Sequence, residues 1–138
     1  MADFSQSGTI ATLHHLGERS LESLEAELAS WGSDRPMSLI IPCLATEMNG
    51  PALRGIISEL SSVPYLTEVI IGLDHANRND FTRARELFAP LPQHHRIVWN
   101  DSPRLRSIET GLRDHGLAPT EAGKGRNVWW CLGYFLAS

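Results

Sequence analysis

A lysine flanked by two glycines is the stretch of this chain whose residue types are best suited to bind an anion. Gly123-Lys124-Gly125 lies where a loop leads into an apolar helix, and Lys124 is the only lysine beside eleven arginines. Glycine lets a backbone approach a ligand closely, and a helix N-terminus presents free N–H donors. A compact ammonium at such a place suits a phosphate or a base carbonyl. The same residues also fit an ordinary glycine turn with one exposed lysine.

Two common nucleotide-binding motifs are absent from the sequence. Gly116 lies too far upstream for G-x-x-x-x-G-K, and Gly125 stands where a P-loop needs Ser or Thr. No G-x-G-x-x-G follows a predicted strand, so the dinucleotide fingerprint is missing as well.

Three short apolar runs predict the strands that would position a site. Residues 37–42, 68–73 and 95–99 are bounded by turn residues, and helical patterns lie between them. Strand alternating with helix predicts an α/β fold with a three-layer, Rossmann-like parallel sheet. Ligands of such sheets bind beyond the carboxyl ends of the strands. Those ends are expected at residues 42–47, 73–77 and 99–103, and residues 123–127 would have to join them there.

Along the chain, a helix is predicted before and after each strand. An acidic helix over 18–31, with leucines and Trp31 on one face, ends at Gly32 and precedes the first strand. Pro42 should end that strand, because proline cannot donate to a sheet ladder. Asp80 is expected to cap the helix that ends near Phe88. The other predicted helices cover residues 10–16, 51–61, 104–115 and the end of the chain from about 128.

The last helix and the first strand both predict that the fold is incomplete within this sequence. Apolar residues surround the last helix on nearly all sides, which is typical of a helix buried between layers. With strand order 3-2-1, residues 37–42 would form a long apolar edge, which natural proteins avoid. A further part of a longer chain, or a second copy in a homodimer, would cover that edge.

Composition limits the class of protein. The 138 residues suffice for one domain with a core, and the net charge of −4 argues against non-specific binding of nucleic acid. No apolar run of about 18 residues and no signal-peptide pattern is found, which favours a cytoplasmic protein without a membrane partner. Cys43 and Cys131 fall in a predicted strand and helix, so they are expected to be buried thiols rather than a disulfide.

Three motifs in order resemble the N-terminal half of GT-A glycosyltransferases, and more narrowly the glucosyl-3-phosphoglycerate synthases and mannosylglycerate-type synthases. The family's Pro-Ala-Leu-Asn-Glu is similar to residues 42–47 (Pro-Cys-Leu-Ala-Thr-Glu), with Glu47 one position later. Its Leu-Asp-Ser-Gly-Ser-Thr-Asp-Asp is similar to residues 73–80, which keep the aspartates and lose the serines and the glycine. Its Gly-Lys-Gly-Glu-Ala-Leu-Trp is similar to residues 123–129 (Gly-Lys-Gly-Arg-Asn-Val-Trp).

This resemblance implies that residues 37–138 form the nucleotide-sugar-binding half of a GT-A domain and that residues 1–36 are a helical extension. The implied partner is a nucleoside-diphosphate sugar, from which the whole enzyme would move a hexose to a small hydroxylated acceptor such as phosphoglycerate. The resemblance implies seven nucleotide-binding residues: Pro42, Leu44, Glu47, Asp74, Asn77, Gly123 and Lys124.

The same resemblance implies a divalent metal, Mg²⁺ or Mn²⁺, for the complete enzyme. The family's Asp-x-Asp, which holds the metal on the donor diphosphate, does not occur in this sequence. We therefore expect no metal ligand and no catalytic residue in this chain, and no turnover by it alone.

Two other functions fit the residues. One is a stand-alone nucleotide-binding or regulatory module that dimerises. The other is a doubly wound domain without nucleotide function, in which Gly123-Lys124-Gly125 is only a turn.

Overall fold

A computed structural model describes residues 19–137 as alternating strands and helices. The helix predicted over residues 10–16 lies outside the described residues. The elements in chain order are α1 (Leu21–Asp34), β1 (Met37–Leu44), a 3₁₀ turn (Ala45–Asn49), α2 (Pro51–Leu60), β2 (Leu66–Asp74), α3 (Arg78–Phe88), β3 (His94–Trp99), α4 (Pro103–Asp114) and α5 (Lys124–Ala137).

The three strands form one parallel sheet, as the sequence predicts, and their order is β1-β2-β3. Leu44 at the end of β1 is the register partner of Asp74, and Leu73 is the partner of Trp99 at the end of β3. The carboxyl ends of all three strands therefore meet at the same edge of the sheet.

The core lies on both faces of the sheet because successive side chains of a strand point to opposite faces. Val69, Ile71 and Leu73 of β2 pack in one buried cluster with residues of α2 and α3. Ile70 packs on the other face with Trp130 and Cys131 of α5. Helices thus cover both faces of a three-stranded parallel sheet, which confirms the α/β class.

The prediction that Pro42 ends the first strand is wrong, since β1 continues through Pro42 to Leu44. Pro42 is paired in register with Gly72 of β2. Because β1 is an edge strand, one side of its backbone needs no ladder bonds, and proline is tolerated there.

The prediction that Asp80 caps the second crossover helix is also wrong in detail. The N-cap of α3 is Asn77, whose Oδ1 accepts from the backbone N–H groups of Asn79 at 2.7 Å and Asp80 at 3.0 Å. The Asp80 carboxylate accepts in turn from the Asn77 N–H at 3.0 Å. This reciprocal pair is a capping box, so the helix begins two residues before Asp80.

The outer helices are less buried than their apolar residues predict. Helix α1 continues past Gly32 to Asp34, and none of its residues is buried. In α5, Trp130 and Cys131 are buried, whereas Leu136 is 82% exposed. The prediction that α5 is buried on nearly all sides is therefore wrong for its outer face. None of the helices within residues 19–137 has the length and apolar character needed to cross a bilayer.

Candidate functional site

A cavity of about 570 Å³ lies beyond the carboxyl ends of β2 and β3. Helix α4 and the segment leading into α5 form its other walls. It is lined by Asp74, His75, Asp101, Arg106, Glu109, Thr110, Arg113, Thr120, Ala122 and Arg126.

Asp74 is the last residue of β2 and lies at the inner end of the cavity, only 1% exposed. Its Oδ1 accepts a hydrogen bond from Arg126 Nη1 at 3.3 Å, while its Oδ2 is buried without a hydrogen-bond partner in the described structure. The ring Nδ1 of His75 is 3.5 Å from that Oδ2 but does not have hydrogen-bond geometry. Asp74 therefore keeps one buried carboxylate oxygen that makes no hydrogen bond in the described structure.

The turn after Asp74 has an unusual backbone. His75 has a φ of 54°, a left-handed conformation that is uncommon for residues other than glycine, although asparagine, aspartate and histidine adopt it more often than the rest. Such conformations persist where the surrounding structure imposes them, and they occur often at binding sites. The imidazole of His75 lines the cavity and is exposed.

Arg126 holds the centre of an ion-pair network across the cavity wall. Its Nε and Nη2 donate to the two oxygens of Glu109 at 2.8 and 2.7 Å, a bidentate pair, and Arg113 Nη2 donates to the same carboxylate at 2.9 Å. The bond from Arg126 lowers the pKa of Glu109 despite its burial, and the bond to Glu109 raises the pKa of Arg126. Both groups are therefore charged at neutral pH.

A second set of bonds fixes the loop after β2 to the end of β3. Asp101 Oδ2 accepts from the Ala76 N–H at 2.9 Å, and its Oδ1 accepts from Arg106 at 2.7 Å. Trp99 Nε1 donates to the Ala76 carbonyl at 2.8 Å. Asn100 follows directly and is fully buried, and neither polar atom of its amide side chain has a partner in the described structure.

The N-terminal turn of α5 lies directly against β2 because Gly72 has no side chain. Asn127 Nδ2 donates to the Gly72 carbonyl at 2.8 Å. A Cβ at Gly72 would overlap the Asn127 amide and would lie 2.6 Å from Cys131 Sγ. The segment that contains Gly123 and Lys124 is thus held beside the ends of the strands.

Asp74 and the glycine–lysine segment lie on the same side of the molecule. Gly123 has a φ of 143°, which fits the backbone freedom predicted for it. Ala122 and Arg126, on either side of it, line the cavity together with Asp74. Lys124 is the first residue of α5 and is exposed, and it is not among the lining residues.

The other candidates lie nearby or serve local structure. Leu44 is exposed at the end of β1, opposite Asp74, and Pro42 lies within the same strand. Glu47 Oε2 accepts from the Leu44 N–H at 2.7 Å, so it stabilises the 3₁₀ turn. Asn77 caps α3 and does not line the cavity.

Sequence reasoning missed Arg126 and Glu109. Arg126 stands within the glycine–lysine segment but differs from the family's glutamate, and no local pattern indicates its partners. One signal in the sequence could have indicated Glu109. It stands four residues before Arg113 on a predicted helix, and side chains at that spacing face each other.

Two curated proteins align with this chain. A glucosyl-3-phosphoglycerate synthase of Persephonella marina is 38% identical over 137 residues, an alignment that covers 99% of this chain and 34% of that protein. The chain resembles the glucosyl-3-phosphoglycerate synthases. The enzyme of the same name from Methanococcoides burtonii is 34% identical over 113 residues, covering 81% of this chain and 28% of that protein.

These similarities confirm the resemblance drawn from the three motifs. The chain spans about a third of the length of the curated relatives it matches. This coverage agrees with the interpretation that the sequence corresponds to one part of a longer protein. No protein-family model and no solved structure matches the chain, so the GT-A fold stays a prediction beyond the α/β class.

Proposed function

We propose that this chain forms the donor-nucleotide part of a glycosyltransferase that takes a hexose from a nucleoside-diphosphate sugar. In the longer protein the acceptor would be a small hydroxylated acid such as phosphoglycerate. The observation that carries the proposal is the buried Asp74 at the carboxyl end of β2, which lines a cavity beside the start of α5 and has one carboxylate oxygen without a hydrogen-bond partner. Its support is the similarity to two glucosyl-3-phosphoglycerate synthases.

In this proposal Asp74 Oδ2 accepts a hydrogen bond from a base N–H or a ribose hydroxyl. Leu44, at the end of the neighbouring strand, offers an apolar surface to the face of the base. Lys124 approaches a phosphate from the N-terminus of α5, where the free N–H groups of the helix also favour negative charge. The backbone segments around the nucleotide are shaped by the four remaining candidates, Pro42, Glu47, Asn77 and Gly123.

The divalent metal that the resemblance implies has no identified place in the described part of the chain. Within residues 19–137 no group of three His, Cys, Asp or Glu side chains is arranged to hold a metal ion.

Calorimetric titration of the full chain with UDP and with GDP tests the proposal. At least one nucleotide should bind, and Asp74→Asn should weaken its binding by about 10- to 100-fold, the value of a hydrogen bond to a charged group. Lys124→Ala should weaken it by about fivefold, because one charge-assisted contact to phosphate is lost at an exposed position.

Two exposed residues outside the cavity provide matched controls. Asp114→Asn at the end of α4 and Arg85→Ala on α3 remove charges that do not line the cavity, and they should leave nucleotide affinity unchanged. Absence of binding by both nucleotides, or equal binding by Asp74→Asn and the natural chain, contradicts the proposed function.

A further inference from the structure

We propose that Arg126 is a positioning residue of the nucleotide site, which fixes both the Asp74 carboxylate and the start of α5 relative to the strand ends. The inference rests on the proposed function and adds to it a residue for which the resemblance implies no role.

The guanidinium of Arg126 joins three elements. Its bidentate pair with Glu109 of α4 fixes the plane of the group, and the remaining nitrogen, Nη1, is then directed to Asp74 at the end of β2. A guanidinium suits this task because its five donors have a rigid planar arrangement. A lysine at the same place would supply the charge without the fixed direction.

The bond to Asp74 determines which carboxylate oxygen keeps no hydrogen-bond partner. Arg126 takes Oδ1, while Oδ2 stays buried without a hydrogen-bond partner. Without this bond the carboxylate would be free to rotate, and both oxygens would compete for the ligand's donor. Arg126 therefore orients the accepting atom before the nucleotide arrives, which reduces the ordering that binding requires.

An anionic ligand needs the positive charge of Arg126, because the carboxylates beside it are buried. The side chain of Arg126 is 11% exposed, and the side chains of Asp74 and Glu109 are 2% and 8% exposed. Truncating one partner of a buried ion pair leaves an uncompensated charge. Without Arg126, two buried carboxylates would face a nucleoside diphosphate across the same cavity.

Arg126 also fixes the backbone of Lys124, since the two residues share the first turn of α5. The Asn127 side chain anchors the next position to the Gly72 carbonyl of β2 at 2.8 Å. Arg126 ties the same turn to α4 and to the end of β2. Lys124 therefore belongs to a helix turn whose position is fixed by contacts with β2 and with α4.

The charged groups around Arg126 predict how its loss changes the pH dependence of binding. These are Asp74 at the end of β2, His75 directly after it, Asp101 after β3, and Arg106, Glu109 and Arg113 on α4. The Arg126 guanidinium holds the pKa of Glu109 below its usual value, and burial acts in the opposite direction. Without Arg126 the pKa of Glu109 rises, because Arg113 alone then opposes the effect of burial.

The test measures UDP affinity of the full chain by calorimetry between pH 5 and pH 8 for the natural sequence, Arg126→Lys and Arg126→Gln. At pH 8, Arg126→Gln should bind UDP at least about tenfold more weakly, and Arg126→Lys should recover at least about threefold of that loss. The ratio of the Gln variant's dissociation constant to the natural one should fall as the pH drops, since protonation removes the carboxylate repulsion. The phosphate of free UDP titrates equally in every sample, so the contribution of the free ligand cancels in this ratio.

A purely structural role would lower the melting temperature without changing the pH dependence of that ratio. Arg85→Gln, which removes an exposed arginine on α3, serves as the control. If the natural chain binds UDP and Arg126→Gln binds within twofold of it at every pH, the positioning role is overturned and the proposed function stands. If the natural chain binds neither UDP nor GDP, both fall.

Should Arg126→Gln fail to fold, Arg126→Lys decides the question. Its charge replaces that of arginine, so an unchanged melting temperature with UDP affinity at least about threefold weaker supports positioning by the fork. An unchanged affinity overturns it.

Discussion

The two cysteines are enclosed on opposite faces of the sheet. Cys43 of β1 belongs to the cluster beneath α2 and α3, and Cys131 of α5 belongs to the cluster on the other face. Both are free thiols. Burial raises the pKa of each to about 11, and the charge of Glu47 adds to the effect at Cys43. Because only a thiolate is nucleophilic, both should be inert in the folded chain.

We predict that Ellman's reagent at pH 8 labels neither cysteine of the folded protein on the timescale of minutes. A thiol of pKa about 11 is ionised to roughly one part in a thousand at that pH, and the sulfur is also out of reach. In guanidinium chloride both thiols should react at once. Immediate labelling of the folded chain would show that one of the two clusters is open.

Asp74 was predictable because its position at a strand end is a local property of the sequence. Arg126 was not, because its partners Glu109 and Asp74 lie 17 and 52 residues away along the chain. An ion pair between elements depends on how the helices pack, and no periodic pattern records that packing. Lys124 was a candidate because it is the only lysine in the sequence, but its exposed side chain does not line the cavity.

At the scale of the elements, the position of α5 depends on Gly72 of the neighbouring strand β2. The strands and helices were predictable because apolar runs and turn residues act locally. Their bounds were not, since Pro42 is tolerated only because β1 lies at the edge, and α3 begins at Arg78 because Asn77 caps it through a reciprocal side-chain pair with Asp80. The contact of α5 with Gly72 joins positions 55 residues apart and gave no signal.

We predict that Gly72→Ala destabilises the fold by about 1–3 kcal/mol, the usual cost of inserting a methyl group into a filled core. The new Cβ would displace the Asn127 amide and the Cys131 sulfur, so the start of α5 would move away from β2. Urea denaturation followed by circular dichroism measures the change.

Gly133→Ala is the matched control within α5. A Cβ at Gly133 meets no atom within 4 Å, and replacing a glycine inside a helix should stabilise the chain by about 0.5–1 kcal/mol. Equal effects of the two substitutions would contradict the close contact between α5 and Gly72. UDP affinity should fall only for Gly72→Ala, because only this variant moves the cavity wall.

At the scale of the whole molecule, β1 is an eight-residue edge strand with one side of its backbone outside the three-stranded sheet. The exposed side chains of Leu21 and Trp31 on α1, which precedes it, leave a further apolar surface. The parallel sheet was predictable from the crossovers. The element that covers the free edge of β1 was not predictable, because it depends on residues outside this sheet.

We propose that two copies of the chain pair through β1, as expected for an unprotected strand edge. Light scattering coupled to size-exclusion chromatography should then show a dimer at high protein concentration. Ser38→Lys places a charge on the exposed side of β1 and should shift the equilibrium to the monomer without lowering the melting temperature. Ser107→Lys on α4 is the control, and a natural chain that is monomeric at all concentrations would contradict the pairing.

The lining of the cavity has a consequence for how fast a ligand arrives. Three guanidinium groups and three carboxylates line it in the described part of the chain, so their formal charges balance. An approaching dianion would feel little long-range attraction and would be captured by random encounters, at an ordinary rate of about 10⁵–10⁷ M⁻¹s⁻¹. Added salt should hardly slow that capture, in contrast to the steered association seen with uniformly basic clefts.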